Sequence, residues 1–159
     1  AFGVEIVYHG RKAQAGAPYL YYPSLVAMAK AVDILMVAAP GGAETRHIVN
    51  AEVLAALGPN GVLINIARGS VVDDEALIAA LKTGTILAAG LDVFPDEPRV
   101  PAGYLGLDNV VLLPHVGSAS LPTREAMANL TVDNLFAFLD GKGPLHPTPE
   151  TPWPAAKRG

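Results

Sequence analysis

The sequence predicts an α/β fold built on a mostly parallel, doubly wound sheet. Short β-branched runs alternate with helical stretches along the 159 residues, an order typical of parallel strands joined by right-handed crossovers. The composition, 51% hydrophobic and 16% charged, suits a sheet that is covered on both faces. The length is sufficient for one domain with a real core and short for two.

The first half of the chain contains three predicted strands separated by helical segments. The strands are expected over residues 4–8, 34–38 and 62–66. Ser24 can cap a helix that runs to about Ala31. Residues 44–57 are expected to be helical in one or two short pieces, because Gly58 and Pro59 form a usual stop signal.

The second half repeats the alternation and ends in a proline-rich segment. Asp73 and Asp74 place negative charge at the start of a helix that ends near Gly84. Strands are expected over 86–93 and 110–113, followed by a long helix over about 122–139 with Pro122 in its first turn. The last sixteen residues hold five prolines and are predicted to form an extended tail.

Composition argues against several classes of protein. The formal net charge is −4 and the basic residues are scattered, which disfavours nucleic-acid binding. No apolar run approaches the ~20 residues of a membrane span, and the first five residues do not resemble a signal peptide. The chain has no cysteine, and no His/Asp/Glu grouping has metal-ligand spacing. We therefore expect no metal and no membrane. The lack of cysteine does not identify a compartment, and a cytoplasmic location is an expectation that does not follow from it.

Three predicted strands end in polar residues that suit one active site. The carboxyl ends of parallel strands face one crevice, where ligands bind. Arg68 follows the strand over 62–66 and can bind a carboxylate through two parallel hydrogen bonds. The alternative is a structural arginine paired with Asp73 or Asp74. These ends therefore suggest, without proving, a site for an anionic carbonyl compound.

His115 and Glu97 follow the last two predicted strands. A histidine at such a position can donate a proton to a ketone that is reduced by hydride. A carboxylate on one ring nitrogen would orient the ring and favour its protonated form. The alternatives are a structural histidine near a turn and a solvated loop acid, and the neighbouring Asp96 weakens any conclusion from composition alone.

The cofactor is argued from the first strand. The chain contains no G-x-G-x-x-G turn, but this strand ends in Tyr8-His9-Gly10-Arg11-Lys12, as a second strand of a dinucleotide-binding sheet would. No acid occurs between Glu5 and Asp33 to hold a free ribose 2′-hydroxyl. Two cations suit a 2′-phosphate, which favours NADP over NAD, with an ordinary basic turn as the alternative.

These segments resemble the D-isomer-specific 2-hydroxyacid dehydrogenases, and among them the glyoxylate/hydroxypyruvate reductases. The resemblance covers residues 1 to about 150. It rests on three ordered motifs, on Val7-Tyr8-His9-Gly10-Arg11, and on Ala39-Pro40 with the following Glu44-Thr45-Arg46-His47. The motifs are Asn65-Ile66-Ala67-Arg68-Gly69, the segment from Gly90 to Pro98, and Leu113-Pro114-His115-Val116-Gly117-Ser118.

The resemblance implies a role for each site residue. Arg68 would hold the substrate carboxylate or carbonyl, and His115, assisted by Glu97, would be the proton donor. Asp92 would contact the nicotinamide end of the cofactor. The full set of implied cofactor contacts is His9, Gly10, Arg11, Lys12, Ala39, Pro40, Ile66, Ala67, Arg68, Asp92, His115, Gly117 and Ser118.

The resemblance also implies a domain organisation. Residues 1–142 would form a Rossmann-like dinucleotide-binding domain, truncated at its N-terminal side and ending in the linking helix, and 143–159 the proline-rich tail. The family's substrate domain and its glycine-rich turn are absent from this sequence. We therefore expect the 159 residues alone to be inactive. The resemblance also implies that the intact protein is a homodimer.

The implied activity is the reduction of a small 2-oxo acid, glyoxylate or hydroxypyruvate, by hydride transfer from NADPH, with NADH also possible. Alternatives are a phosphoglycerate or D-lactate dehydrogenase, and a non-catalytic relative that senses nucleotides. A formate dehydrogenase fits less well because that reaction needs no proton donor, so the acid–base pair would be idle.

Overall fold

The computed structural model describes residues 3–148 and Trp153. The chain divides into two compact units between His115 and Val116. Among the described residues, the first unit contains six strands and three α-helices, and the second contains a longer fourth helix. The three strand ends singled out above therefore all belong to the first unit.

All strands of the first unit are parallel, in two sheets. The strands are β1 (Val7–Tyr8), β2 (Leu20–Tyr21), β3 (Ile34–Val37), β4 (Val62–Asn65), β5 (Ala88–Leu91) and β6 (Val110–Leu112). The smaller sheet pairs β1 with β2, and the larger has the order β3-β4-β5-β6. The predicted fold class is confirmed as parallel sheets with flanking helices, of the Rossmann-like kind.

The helices of the first unit begin at side-chain caps that the sequence predicts in part. Ser24 accepts a hydrogen bond from the Ala27 N–H group and Asp73 one from that of Ala76, so each satisfies a free donor of the first turn. The helices are α1 (Leu25–Ala29), α2 (Ala51–Leu57) and α3 (Asp74–Thr83). One-turn 3₁₀ helices lie at Ala43–Thr45, Gly69–Val71 and Ala102–Tyr104.

Burial alternates along β3, as expected for a strand with one covered face. Leu35 and Val37 are buried, whereas Ile34 and Met36 are exposed. The buried side chains join one core with those of α1, α2 and α3, where α1 contacts α2 and α2 contacts α3. That core fixes the directions in which the strands end.

Several strands are shorter than the sequence predicts, and β2 was not predicted. Residues 4–6 are exposed and precede the ladder, so β1 covers only the end of the predicted 4–8 run. The predicted 86–93 strand is paired over β5 alone. A two-residue strand such as β2 carries too little periodicity to be recognised in sequence.

The second unit contains α4 (Leu121–Leu139), with Ser120 at its N-cap and Pro122 in its first turn as predicted. The Phe138 and Trp153 rings meet edge to face with centroids 5.0 Å apart. Residues 143–148 form neither helix nor strand, and the rest of the predicted tail, apart from Trp153, lies outside the described residues. Among the described helices, none is long and apolar enough to cross a membrane.

Candidate active site

A cleft of about 650 Å³ lies at the carboxyl ends of the central strands. It is lined by residues that follow β3, β4 and β5, which is where parallel sheets bind ligands. The structure brings five predicted cofactor contacts together here, namely Ala39, Pro40, Ile66, Ala67 and Arg68. Gly41, Gly42, Gly69, Ser70, Phe94 and Pro95 line it as well.

The turn that carries Arg68 is organised by the buried Asn65 side chain. Its Oδ1 atom accepts a hydrogen bond from the Ala67 N–H group at 3.0 Å, and its Nδ2 atom donates to the Arg68 carbonyl at 3.1 Å. Asn65 is 1% exposed, so these two bonds are shielded from water. One amide thus fixes the backbone on both sides of the exposed arginine.

Arg68 makes no ion pair within the described residues. Its Nη1 atom donates to the Ala67 carbonyl at 2.6 Å, whereas Asp73 caps α3 and Asp74 accepts from the Tyr104 hydroxyl. The structural alternative, an arginine paired with either aspartate, is therefore not what the structure contains. The guanidinium lines the cleft and retains donors for an anion.

Gly69 joins the arginine turn to the loop that carries Glu97. A Cβ atom at Gly69 would overlap the backbone of Phe94 and Pro95. Its φ lies outside the left-handed region, so the close approach alone requires glycine. The Arg68 turn and the Phe94–Pro95 peptide are consequently in direct backbone contact, which couples their positions.

Glu97 is held by both carboxylate oxygens. Oε1 accepts a hydrogen bond from the Phe94 N–H group at 3.0 Å, and Oε2 lies 2.7 Å from Nδ1 of His115. The hydrogen bond with His115, followed by that from Phe94, holds the pKa of Glu97 below its ordinary value. The carboxylate is therefore charged at neutral pH and orients the imidazole.

His115 has a left-handed backbone, with φ of 56°, although it is not glycine. Such conformations are uncommon for residues with a side chain and are concentrated at functional sites. The preceding backbone is fixed to the sheet, because the Leu113 N–H group donates to the Leu91 carbonyl at 2.8 Å. With Nδ1 bonded to Glu97, Nε2 is the ring nitrogen available for proton transfer.

The basic turn after β1 is supported by residues of the β2 segment. The His9 ring bonds the Tyr22 carbonyl at 2.8 Å, and the Tyr21 hydroxyl donates to the Gly10 carbonyl at 3.1 Å. Arg11 and Lys12, with Gln14, line a second cavity of about 430 Å³. Two cations therefore border one concave surface, as a phosphate site requires.

The remaining predicted contacts lie in different environments. Asp92 is buried, and its N–H group donates to the Asn65 carbonyl at 3.0 Å, which places it directly after β5. Gly117 and Ser118 belong to the second unit, between β6 and α4. The contact of each residue with a cofactor stays a prediction.

Three residues were not identified as site residues from the sequence. Asn65 and Gly69 flank Arg68 inside the recognised motif, and only their contacts reveal what they do. Glu44 lies 3.4 Å from Arg11 although the two are 33 positions apart in the sequence. Among the described residues, no group of three or more His, Cys, Asp or Glu could hold a metal ion.

A parallel sheet with a cleft at the carboxyl ends of its strands is typical of nucleotide-binding folds. Residues 1–117 match the family described as "D-isomer specific 2-hydroxyacid dehydrogenase, NAD binding domain". The chain belongs to this family.

Several characterised relatives share most of the chain. Hydroxyphenylpyruvate reductase of Plectranthus scutellarioides and glyoxylate/hydroxypyruvate reductase A of Arabidopsis thaliana are each 52% identical over 147 residues, 92% of this chain and 47% of theirs. The NADPH-dependent glyoxylate/hydroxypyruvate reductase of Sinorhizobium meliloti, whose crystal structure is known in complex with NADP and malonate, is 56% identical in sequence to this chain. It superposes with a TM-score of 0.90 over 96% of this chain and 48% of that one. The chain thus spans about half the length of these relatives.

Proposed function

We propose that the protein containing this chain reduces small 2-oxo acids, such as glyoxylate and hydroxypyruvate, with NADPH. The observation that carries the proposal is the 2.7 Å bond between His115 and Glu97, in a first unit whose cleft is lined by Arg68. His115 supplies a proton donor, and Arg68 supplies a cation that binds the substrate carboxylate. Reduction of an anionic ketone requires both groups.

The described residues fit part of a dinucleotide. Arg11 and Lys12 border a cavity that suits the 2′-phosphate of NADP. The segments Ala39–Pro40 and Ile66–Arg68 line the cleft along which the cofactor would lie. The contact of Asp92 with the nicotinamide end is implied by the family resemblance. The glycine-rich turn that cradles a pyrophosphate does not occur in this sequence. When bound, the nicotinamide supplies the hydride.

The side chains divide the remaining work. The Arg68 guanidinium binds the substrate carboxylate and so orients the adjacent carbonyl. As the carbonyl carbon accepts hydride, Nε2 of His115 gives its proton to the carbonyl oxygen, which becomes the product hydroxyl. Glu97 stabilises the protonated ring before this transfer and keeps it oriented.

This proposal includes the expected organisation of the protein. Residues 1–142 would be part of the nucleotide-binding domain and 143–159 a tail, while a separate domain completes the substrate pocket. A homodimer is supported by the exposed apolar side chains of α4, including Leu130, Leu135 and Phe136. Light scattering after gel filtration tests the dimer, and cell fractionation tests the expected cytoplasmic location.

The experiment is a steady-state assay of the protein as its gene encodes it, with glyoxylate and hydroxypyruvate and with each cofactor. We expect turnover of both acids and a higher kcat/KM with NADPH than with NADH. Arg11→Ala should reduce this preference by raising KM for NADPH only. Absence of turnover with either acid would contradict the proposed reaction, and equal efficiency with both cofactors would contradict the 2′-phosphate site.

A further inference from the structure

Glu44 brings a carboxylate to the cation that the 2′-phosphate would use. Its Oε2 atom lies 3.4 Å from Nη1 of Arg11. Glu44 belongs to the 3₁₀ helix Ala43–Thr45, which follows the cleft-lining residues Gly41 and Gly42. This 3₁₀ helix is tied to the loop after β3, because the Thr45 hydroxyl donates to the Pro40 carbonyl at 2.7 Å. The loop after β3 therefore reaches the basic turn after β1.

We propose that Glu44 is a specificity-determining residue whose carboxylate competes with the 2′-phosphate for Arg11 and so weakens the preference for NADP over NAD. The inference rests on the proposed NADP site. It also modifies the expectation that no acid reaches this position, because Glu44 arrives from a different strand end and not from the 5–33 segment.

The charges determine the direction of the effect. A phosphate monoester carries about −1.5 to −2 charges at neutral pH, so a carboxylate bound to the same guanidinium repels it. The free ribose hydroxyl of NAD carries no charge and is not repelled. Removing the negative charge of Glu44 should therefore strengthen binding of the phosphorylated cofactor only.

Exposure sets the size of the effect. The Arg11 and Glu44 side chains are 85% and 78% exposed, so water and salt screen their interaction and the pair adds little to folding. From Coulomb's law in water, two charged groups roughly 5 Å apart predict about a tenfold effect at low ionic strength, reduced to about threefold near 0.15 M salt. A glutamine at this position should fold normally.

Lys12 makes the arrangement asymmetric. Within the described residues it forms no ion pair, so one of the two cations is restrained by an acid and the other is not. Glu44 thus pairs with Arg11 and not with Lys12, and its substitution by glutamine removes this pairing without altering either cationic side chain.

The test is equilibrium binding measured by calorimetry, not turnover. The protein as its gene encodes it is titrated with NADP⁺, with NAD⁺ and with adenosine 2′,5′-bisphosphate, for wild type, Glu44→Gln, Glu52→Gln and Arg11→Ala. Glu52 is an exposed acid in the first turn of α2, so its variant makes the same charge change elsewhere. Circular dichroism and Tm verify that the variants fold.

We expect Glu44→Gln to lower the Kd for NADP⁺ and for the bisphosphate at least threefold relative to Glu52→Gln. The Kd for NAD⁺ should not fall, and the gain should shrink as salt is raised. An unchanged or higher Kd for NADP⁺, or an equal gain for NAD⁺, overturns the proposal. If wild type prefers NADP⁺ and Arg11→Ala removes the preference, that failure concerns Glu44 alone. If neither wild type nor Glu44→Gln binds NADP⁺ more tightly than NAD⁺, the proposed cofactor site itself fails.

Discussion

The Oε2 atom of Glu97 lies 2.7 Å from Nδ1 of His115, while Oε1 of the same carboxylate accepts a hydrogen bond from the Phe94 backbone. The loop after β5 thus holds the imidazole that follows β6. Because each oxygen has a hydrogen-bond partner on a different segment, rotation of the carboxylate would break both bonds. The pair is a preorganised acid–base unit.

The first prediction concerns Glu97→Gln. The amide can keep one hydrogen bond but carries no charge to stabilise a protonated ring. The value of kcat should therefore fall on the order of 10²-fold, the low end of the range that general acid–base catalysis contributes. The pKa of Glu97 is lowered, so its charge is lost only below the ordinary carboxyl range. The deficit should therefore persist across pH 5 to 9 in a kcat profile.

Asp96→Asn is the matched control for Glu97→Gln. Asp96 is the adjacent acid, and its carboxylate bonds Arg99 at 2.8 Å on the surface. Its variant should retain kcat within about twofold, since an exposed ion pair contributes little. Equal losses in the two variants would argue that the loop, and not the pairing with His115, matters.

A second prediction concerns the close approach at Gly69. In Gly69→Ala the new methyl group must displace the Phe94–Pro95 backbone, which should cost about 1–3 kcal/mol of unfolding free energy. Because the Arg68 turn and the Glu97 loop separate, kcat/KM should also fall on the order of 10²-fold. Urea unfolding and steady-state kinetics measure the two effects.

Gly106→Ala is the control that distinguishes backbone strain at the substituted residue from displacement of a neighbouring segment. Gly106 has φ of +85° and no atom near its would-be Cβ, so alanine there should cost about 1 kcal/mol through backbone strain alone. Its activity should remain near wild type. If Gly69→Ala loses stability but retains kcat/KM, the coupling between the two loops has no role in catalysis.

A third prediction tests Asn65 as a positioning residue. Asn65→Asp keeps an acceptor for the Ala67 N–H group but removes the donor to the Arg68 carbonyl and buries a charge. We expect a loss of about 3 kcal/mol in unfolding free energy and a raised KM for the 2-oxo acid. The KM for NADPH serves as the internal comparison.

Asn109→Asp is the corresponding control away from the site. Asn109 donates to the Leu81 and Leu87 carbonyls. It directly precedes β6 and so lies at the amino ends of the strands, whereas the cleft lies at their carboxyl ends. Its variant should also lose stability, by about 1–3 kcal/mol, but leave KM unchanged. A raised KM in both variants would assign the effect to general destabilisation.

A fourth prediction concerns the buried hydroxyl of Tyr104, which donates to Asp74. Burial, and then the bond to Asp74, raises the pKa of Tyr104 above its ordinary value. The resulting stability is complete below about pH 10 and is lost as pH rises, at roughly 1.4 kcal/mol per pH unit. Tyr104→Phe should remove this slope and lower stability at pH 7 by about 1–2 kcal/mol.

Tyr19→Phe provides the comparison, because Tyr19 is an exposed tyrosine. Unfolding free energy measured by urea between pH 8 and 11 should follow wild type in this variant and become flatter in Tyr104→Phe. If wild type and Tyr104→Phe lose stability in parallel above pH 10, Tyr104 is not the group responsible.

The sequence predicts most of this architecture because each signal is local. Alternating apolar runs and side-chain caps such as Ser24 and Asp73 place the helices and the larger sheet correctly. The pairing of Glu97 with His115 could be inferred because both follow strands of one parallel sheet. The expected covering of both sheet faces is not seen for β3, where Ile34 and Met36 are exposed.

What could not be predicted depends on contacts between distant segments. The two residues of β2 pair with β1 across a long loop and have no period of their own. The approach of Glu44 to Arg11 depends on how two separate loops fold above different strands. The role of Gly69 depends on a backbone contact that no side-chain pattern records.

The most direct test of the account is kcat for glyoxylate and hydroxypyruvate with saturating NADPH, compared between wild type and His115→Asn. Asparagine tolerates the left-handed backbone at this position and can bond Glu97, but it cannot donate a proton as imidazolium does. We predict measurable wild-type turnover and a loss of about 10²–10⁴-fold in the variant, with NADP⁺ binding retained. A variant with near-normal kcat would contradict the assignment of His115 as the proton donor.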